Sequence, residues 1–318
     1  MRCGPHSSPG WWAAACLSTV LFAILDLTAG DGGMSIPAGA LLWKLRLPRV
    51  VAALVAGGGL ALAGAQMQAL FRNPLADPHI MGVSGGAGLG AALATLAAGT
   101  VGIFSGATVA AAAFFGALAS AALVIAVSLR FPSSTTLLLF GVMLGFICSA
   151  LSSILQYTAS EEGLKLFYSW MAGSFSGLRW GEIAIMAAAL FVSLTLAAAN
   201  GKGLDLILFG EEYAGLSGAS PRRILVVSML GCCLVTGAVT AFCGPLGFVG
   251  IVAPHLGRRI CGSSVHGKVI PASLVTGMAL ALLADMLANL WPTPLPVGST
   301  LALIGIPIVF ILLLRHHA

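Results

Sequence analysis

The sequence predicts an all-α polytopic membrane protein with ten transmembrane helices. Of its 318 residues, 58% are hydrophobic and only 8% are charged, whereas an ordinary soluble domain has about 25% charged residues. The few charges divide the chain into long apolar runs, and a helix needs roughly 20 such residues to cross about 30 Å of hydrocarbon. No segment has the composition of a soluble domain, so residues 1–318 are predicted to form a single integral membrane domain.

The charge-free runs define the spans in order. The first five are predicted at 3–25, at 50–71, in the two halves of 78–129 on either side of a small-residue turn near 99–106, and within 131–160. The last five are predicted at 183–201, in the two parts of 224–257 divided at Gly244-Pro245, at 269–290 and at 298–314. The eighth span is the shortest, and about a dozen apolar residues can also form a re-entrant segment.

The distribution of lysine and arginine predicts the orientation, because these residues are enriched in cytoplasmic loops. An even number of spans places both termini on one side. Ten cationic residues fall on that side, namely Arg2, Arg72, Arg130, Lys202, Arg222, Arg223, Arg258, Arg259, Lys268 and Arg315. Five fall on the other side, namely Lys44, Arg46, Arg49, Lys165 and Arg179. Both termini are therefore predicted to be cytoplasmic. The alternative is a cleaved signal peptide in place of the first span, which would leave nine helices and separate the termini.

Glycines spaced one helical turn apart predict closely packed helices. Gly82, Gly86 and Gly90 form two overlapping patterns of this kind, and Gly141 and Gly145 form a third. Small residues let helix backbones approach where lipid supplies no hydrophobic drive for association. A weak similarity between residues 60–79 and residues 234–255 also indicates two halves of inverted topology, with chance similarity in an apolar sequence as the alternative.

Asp285 lies inside an otherwise uncharged run, 269–314. A carboxylate in a membrane span costs several kcal/mol unless it faces a partner or a watery cavity. Two interpretations remain open. Asp285 is a proton relay of a secondary transporter, or it is a structural acceptor for a neighbouring helix or for Asn289 one turn later.

Two polar segments outside the spans point to partners. Lys44, Arg46 and Arg49 cluster on the outer side, where positive charge is disfavoured. They either reach lipid phosphates or form a docking site for an acidic partner. On the cytoplasmic side, residues 206–218 are amphipathic, helix-prone and anionic, which suits a groove on a cytoplasmic partner.

Motifs for chemistry are weak. The segment Gly262–Lys268 resembles a phosphate-binding loop, but Val269 replaces the required Ser or Thr. Ser84 lies in a G-x-S-x-G pattern without the strand that a nucleophile elbow needs. We therefore expect no catalytic residue, metal or cofactor, and a net charge of +5 is too thin for a nucleic-acid-binding face. An intramembrane enzyme that uses Ser84 or His255 is the distant alternative.

Several segments, in order along nearly the whole chain, resemble one family. They include Leu45-Arg46-Leu47-Pro48-Arg49, Gly64-Ala65-Gln66-Met67-Gln68, Asn73-Pro74-Leu75-Ala76-Asp77-Pro78, Trp170-Met171-Ala172-Gly173-Ser174, Gly247-Phe248-Val249-Gly250 and Leu282-Leu283-Ala284-Asp285. The chain thereby resembles the FecCD family, the permease subunits of ABC importers for ferric siderophores, haem and cobalamin.

That resemblance implies the architecture of a type II ABC importer permease in a bacterial inner membrane. It implies a homodimer in lipid, with two cytoplasmic ABC ATPase subunits, which hydrolyse the ATP, and a periplasmic substrate-binding protein. The substrate it implies is an iron chelate (siderophore or haem) or cobalamin.

The resemblance also assigns roles to residues. It implies an ATPase-coupling loop at 203–221, with Gly210, Glu211, Ala214 and Gly218 on the motif. It implies docking of the binding protein on Arg46 and Arg49. Some members carry a further arginine where this chain has Asn289, and Lys44 would compensate for the missing arginine. It implies a cytoplasmic gate at Ser133, Ser134 and Thr135, and it favours the structural interpretation of Asp285.

Overall fold

The structure, a computed structural model, describes residues 9–30, 33–34, 39–101, 106–131 and 133–316. These residues form a helical bundle with one two-residue hairpin, Ala29–Gly30 paired with Gly33–Met34. The helices are α1 (Pro9–Thr28), α2 (Gly39–Leu41), α3 (Leu47–Leu70), α4 (Val83–Val101), α5 (Gly106–Arg130), α6 (Ser134–Tyr157), α7 (Glu161–Ala172), α8 (Trp180–Ile207), α9 (Glu211–Leu216), α10 (Pro221–Cys243), α11 (Val249–Cys261), α12 (His266–Asn289) and α13 (Val297–His316). A π-helical turn, Leu42–Arg46, and a 3-10 turn, Pro78–Met81, complete the secondary structure of these residues.

The all-α polytopic fold is confirmed. Within the described ranges, seven helices are long and apolar enough to cross a membrane, and shorter apolar stretches occupy Val83–Leu96 and Val297–Ile311. The remaining predicted span, the eighth, corresponds to α11, whose 13 residues extend only about 20 Å at 1.5 Å per residue. The eighth predicted span is therefore the short one. The turn predicted between the third and fourth spans falls largely on 102–105, outside the described residues.

The second span begins earlier than the sequence predicts. We placed its start at residue 50, after the basic cluster, but Gly39–Leu70 is one continuous helical segment of 32 residues. The π-helical turn joins α2 to α3, and Pro48 lies in the first turn of α3, directly after the π-helical turn. Arg46 and Arg49 consequently lie within a helix rather than in a loop.

α3 occupies the centre of the bundle. Of its 24 residues, 20 are buried, and it packs on α8, α10, α11 and α12. Glycines make this packing close, because a Cβ at Gly57 would overlap the backbone of Gly277 and a Cβ at Gly64 would overlap that of Gly250. Small residues therefore set the spacing between α3 and its neighbours.

The glycine patterns in α4 and α6 also lie at helix contacts. A Cβ at Gly86 would overlap Ser120, and a Cβ at Gly90 would overlap the carbonyl oxygen of Ala112, both on α5. Gly82 approaches the backbone of Gly141, with 2.7 Å between the position of its Cβ and the carbonyl oxygen. The prediction of closely packed helices is confirmed at these contacts.

The two longest predicted loops are largely helical. The segment 158–180 contains α7, which follows a Ser160 cap whose hydroxyl accepts from the backbone N–H of Gly163. The segment 200–223 contains the end of α8, then α9 and the start of α10. Both short helices are too short to span, and each extends from one end of the bundle.

Candidate coupling site and buried charge cluster

α9 lies between two glycines in the left-handed region of backbone conformation. Gly210 precedes it with φ +116° and Gly218 follows it with φ +80°, values that favour glycine because it lacks a Cβ. The backbone N–H of Ala219 donates to the carbonyl of Ala214 at 3.0 Å and closes the end of the helix. The two glycines fix α9 as a separate turn between α8 and α10.

One face of α9 is seated and the other is exposed. Ala214 is fully buried. By contrast, Leu216 is 90% exposed, and Phe209, directly before the helix, is 74% exposed and lies 5.4 Å from the ring of Tyr213. Glu212 is also exposed. An exposed apolar and anionic surface at the tip of a short helix has the composition of a contact with a grooved partner.

A hydrogen bond joins α9 to the start of α6. The Ser134 hydroxyl donates to Glu211 Oε1 at 2.7 Å, and Ser134 is the first residue of α6. Ser133 precedes it and is half-buried, while Thr135 is exposed. The sequence assigned Glu211 and Ser134 to different sites, and the structure brings them into direct contact.

A second link joins the same end of the bundle to α12. Asp205, in the last turn of α8, accepts from the backbone N–H of His266 at 2.8 Å and lies 2.6 Å from its Nδ1. His266 is the first residue of α12. The end of α8 that leads into α9 is therefore attached to a helix that packs on α3.

Asp285 belongs to a buried charge cluster at the opposite ends of α3 and α12. Its Oδ2 lies 2.9 Å from Arg49 Nε, and the Nδ2 of Asn289 donates to its Oδ1 at 3.1 Å. Arg49 also donates from Nη2 to the Oδ1 of Asp26 at 3.2 Å and to the Asp26 and Ala29 carbonyls. All four side chains are at most 8% exposed. Buried charges are retained when they are paired in this way.

Asp285 is therefore not an isolated intramembrane charge, as the sequence suggested. The sequence identified Asn289 as a neighbour but missed Arg49 and Asp26. The sequence did carry a signal for this cluster. Asp26 ends the first span and Arg49 begins the second, so both lie near the same face of the membrane. Asp285 lies at a similar depth, and a carboxylate there requires a counter-charge. The Asp26–Arg49 pair also joins α1 to α3.

Arg46 and Arg49, the predicted docking residues, have exposed fractions of 4% and 7% in the single chain. Their contact with a binding protein stays a prediction. The Arg46 guanidinium donates from Nη1 to the carbonyls of Leu27 and Thr28 at 3.0 and 3.1 Å. Arg46 and Arg49 are three residues apart and therefore lie on one face of the helix, which contacts the end of α1, whereas Lys44 is the exposed cation of this segment.

The segments with internal similarity lie against each other. The 3-10 turn Pro78–Met81 meets the loop after α10, because His79 Nε2 donates to the Leu246 carbonyl at 2.7 Å. The Nδ1 of His79 lies 2.5 Å from the Ser84 hydroxyl. The Ser84 hydroxyl also lies 3.4 Å from the Thr240 hydroxyl and thus belongs to this junction.

The same junction is held from α3. Gln68 Nε2 donates to the carbonyls of Gly250 and Ile251 at 3.1 and 3.3 Å, and Arg258 donates to its Oε1. Gln68 therefore joins α3 to α11 through three hydrogen bonds.

The chain is similar to known permeases over nearly its full length. It is 37% identical to the vitamin B12 import system permease protein BtuC of Klebsiella pneumoniae and 36% identical to that of Citrobacter koseri, with 96% of this chain and 94% of each relative covered. A solved structure of a metal-chelate type ABC transporter in an inward-facing conformation matches with a TM-score of 0.84 at 30% identity, and covers 97% of this chain and 100% of that one. PsaBC from Streptococcus pneumoniae, solved with a Fab, shares the fold with a TM-score of 0.52 at 16% identity.

These similarities agree with the helical architecture. The model of the FecCD transport family matches residues 13–315, which include every helix from α1 to the last turn of α13. The chain belongs to the FecCD transport family.

Proposed function

We propose that this protein is the membrane-spanning permease subunit of an ATP-driven importer for a large metal chelate, either cobalamin or an iron chelate. Membership in the FecCD family over residues 13–315 carries this proposal. The relatives named for vitamin B12 import and the matching metal-chelate transporter support the class of substrate. The chain itself performs no covalent chemistry in this proposal, because ATP is hydrolysed by a partner.

Two copies of the chain would form the pathway in the inner membrane, with two ATPase subunits on the cytoplasmic side and a binding protein outside. The long exposed apolar faces of α6 and α13, which include Phe146 and Phe310, suit contact with a second copy or with lipid. The coupling contact would be α9, through Phe209, Tyr213 and Leu216. Both termini would then lie on the cytoplasmic side.

In this mechanism, ATP binding changes the position of the groove that holds α9. A partner shifts a conformational equilibrium only by its difference in affinity for the two states. Movement of α9 would reach α6 through the Glu211–Ser134 bond and α12 through the Asp205–His266 contact. Gly210 and Gly218 would allow α9 to turn as a unit between α8 and α10.

Asp285 has a structural role in this proposal. Its carboxylate is held by Arg49 and Asn289 within the bundle, whereas a proton relay needs access to a watery cavity. The alternative, a proton-coupled secondary transporter, would move its substrate without ATP and would lose transport in Asp285→Asn.

The proposal is tested by co-expressing the chain with its neighbouring genes, purifying it in mild detergent and measuring the intact mass. We expect a complex of two permeases and two ATPases. In proteoliposomes, this complex should take up cobalamin, a ferric siderophore or haem only under two conditions. ATP must be present on the side of the membrane that carries the ATPase subunits, and the binding protein must be present on the other side. A chain that purifies alone and drives uptake with a proton gradient would overturn the assignment.

A further inference from the structure

A groove along the side of the bundle is not used by the coupling site or by the charge cluster. It lies between α1 and α13 over α11 and α12, and encloses about 820 Å³. Apolar side chains line most of it, among them Phe22, Leu283, Ile304 and Ile308. A groove of this size and composition is suited to an apolar ligand.

One end of the groove is cationic. Arg259 is the charged residue in its lining, and it lies in the last turn of α11. Arg259 is exposed and has no ion-pair partner among the residues whose side chains the structure describes. Trp11, which is 63% exposed in the first turn of α1, lines the groove as well. Tryptophan and arginine are both typical of the boundary between hydrocarbon and water.

This end of the groove is the end that carries α9. Arg259 is followed within seven residues by His266, which contacts Asp205 at the end of α8. Phe22 and Leu283 lie further along α1 and α12, toward Asp26 and Asp285. The groove therefore runs from a cation at the boundary into the apolar interior, parallel to the helices.

We propose that the groove binds one phospholipid with an anionic headgroup. The headgroup phosphate would meet Arg259, and an acyl chain would lie along α12 between α1 and α13. Basic pockets between membrane helices on the cytoplasmic side bind acidic headgroups in this way. The assignment to the cytoplasmic leaflet rests on the proposed function, through α9, whereas the preference for an anionic lipid rests on Arg259 alone. A soluble anion does not fit, since it would leave the apolar lining unfilled.

The test is quantitative lipid analysis of the full complex in nanodiscs of phosphatidylethanolamine and phosphatidylglycerol, followed by native mass spectrometry during stepwise delipidation. We expect about one phosphatidylglycerol to stay with each chain after the bulk lipid is removed. Arg259→Gln should reduce this retention about fivefold, which is the effect of one cation near an anionic headgroup, and Arg259→Lys should preserve most of it. Lys202→Gln, at an exposed cation of the same end outside the groove, is the matched control.

Ala279→Leu narrows the groove without a change of charge, and it should reduce retention of both lipids. Equal retention of the two lipids by the wild-type complex would overturn the proposal, and so would unchanged phosphatidylglycerol in Arg259→Gln. A bifunctional cross-link from Ala14→Cys to a second chain would assign the groove to an interface between copies and would also overturn it. Transport by the wild-type complex, measured separately, tests the proposed function independently of the lipid result.

Discussion

At the scale of single residues, Arg49 holds together two carboxylates from different helices. Asp26 and Asp285 are both fully buried, and each has an oxygen within 3.2 Å of the guanidinium. A buried ion pair adds little stability over an apolar pair, but removal of one partner leaves an uncompensated charge. The cluster therefore ties α1, α3 and α12 in one arrangement.

We expect Arg49→Met to lower the stability of the protein by about 3–5 kcal/mol, because it leaves two buried carboxylates without a cation. Cys232 and Cys233 are buried, so the temperature at which they react with a thiol-specific dye reports unfolding in detergent. The triple variant Asp26→Asn, Arg49→Met, Asp285→Asn is the control, and it should regain most of the lost stability. An unchanged transition temperature in Arg49→Met alone would contradict this account.

The Glu211–Ser134 bond makes a second prediction at this scale. We expect Ser134→Ala to reduce substrate transported per ATP about fivefold, because a hydrogen bond of about 1 kcal/mol between α9 and α6 is lost. Uptake and phosphate release in the same proteoliposomes measure this ratio. Glu211→Gln should be milder than Glu211→Ala because the amide oxygen still accepts the hydrogen bond.

At the scale of helices, the close approach of α3 and α11 depends on the absence of a side chain at Gly64. We expect Gly64→Ala to lower stability by about 1–3 kcal/mol, the cost of overpacking a buried contact. Gly88→Ala is the matched control, because a Cβ at Gly88 meets nothing within 4 Å. The unfolding temperatures of the two variants in detergent are compared. Equal values would show that α3 and α11 can move apart to accommodate the added methyl group with no loss of stability.

Helix type and most helix positions were predictable because hydrocarbon thickness requires long apolar runs. The start of α3 was not predictable, because we expected Arg46 and Arg49 to lie in a loop. Instead they lie in a helix, where Arg49 pairs with Asp26 and Asp285 and Arg46 donates to backbone carbonyls. α7 was missed for a related reason. It is a 12-residue amphipathic helix outside the spans, and its length gives no membrane signal.

The candidate site was predictable only in part. The position of α9 followed from family resemblance and from the glycines at 210 and 218. Its contact with Ser134 joins residues 77 positions apart, and neither periodicity nor composition encodes a pairing over that separation.

At the scale of the whole molecule, the charge at the end of the bundle opposite α9 would set how the proposed binding protein approaches. Lys44 is exposed there, whereas Arg46 and Arg49 are buried. We expect Lys44→Glu to slow association with the binding protein severalfold at low ionic strength, because rim charges act mainly on the encounter rate. The difference should vanish near 1 M salt, where the Debye length is about 3 Å.

Stopped-flow association with the purified binding protein measures this effect. Lys202→Glu, at the opposite end of the bundle, is the control and should leave both the rate and its salt dependence unchanged. Equal rates for Lys44→Glu and wild type at low salt would place the docking surface elsewhere.

The central position of α3 also dictates the order in which the protein can be completed. α3 is made early, yet α8, α10, α11 and α12, on which it packs, are all made later. Until α11 emerges, Gln68 lacks its acceptors, and until α12 emerges, Arg49 lacks Asp285. Chains that stop before α12 therefore display unpaired polar groups in the membrane, where incomplete folds are most exposed to misassembly and proteolysis. In this protein, the first third of the chain reaches its final packing only after the last third has been made.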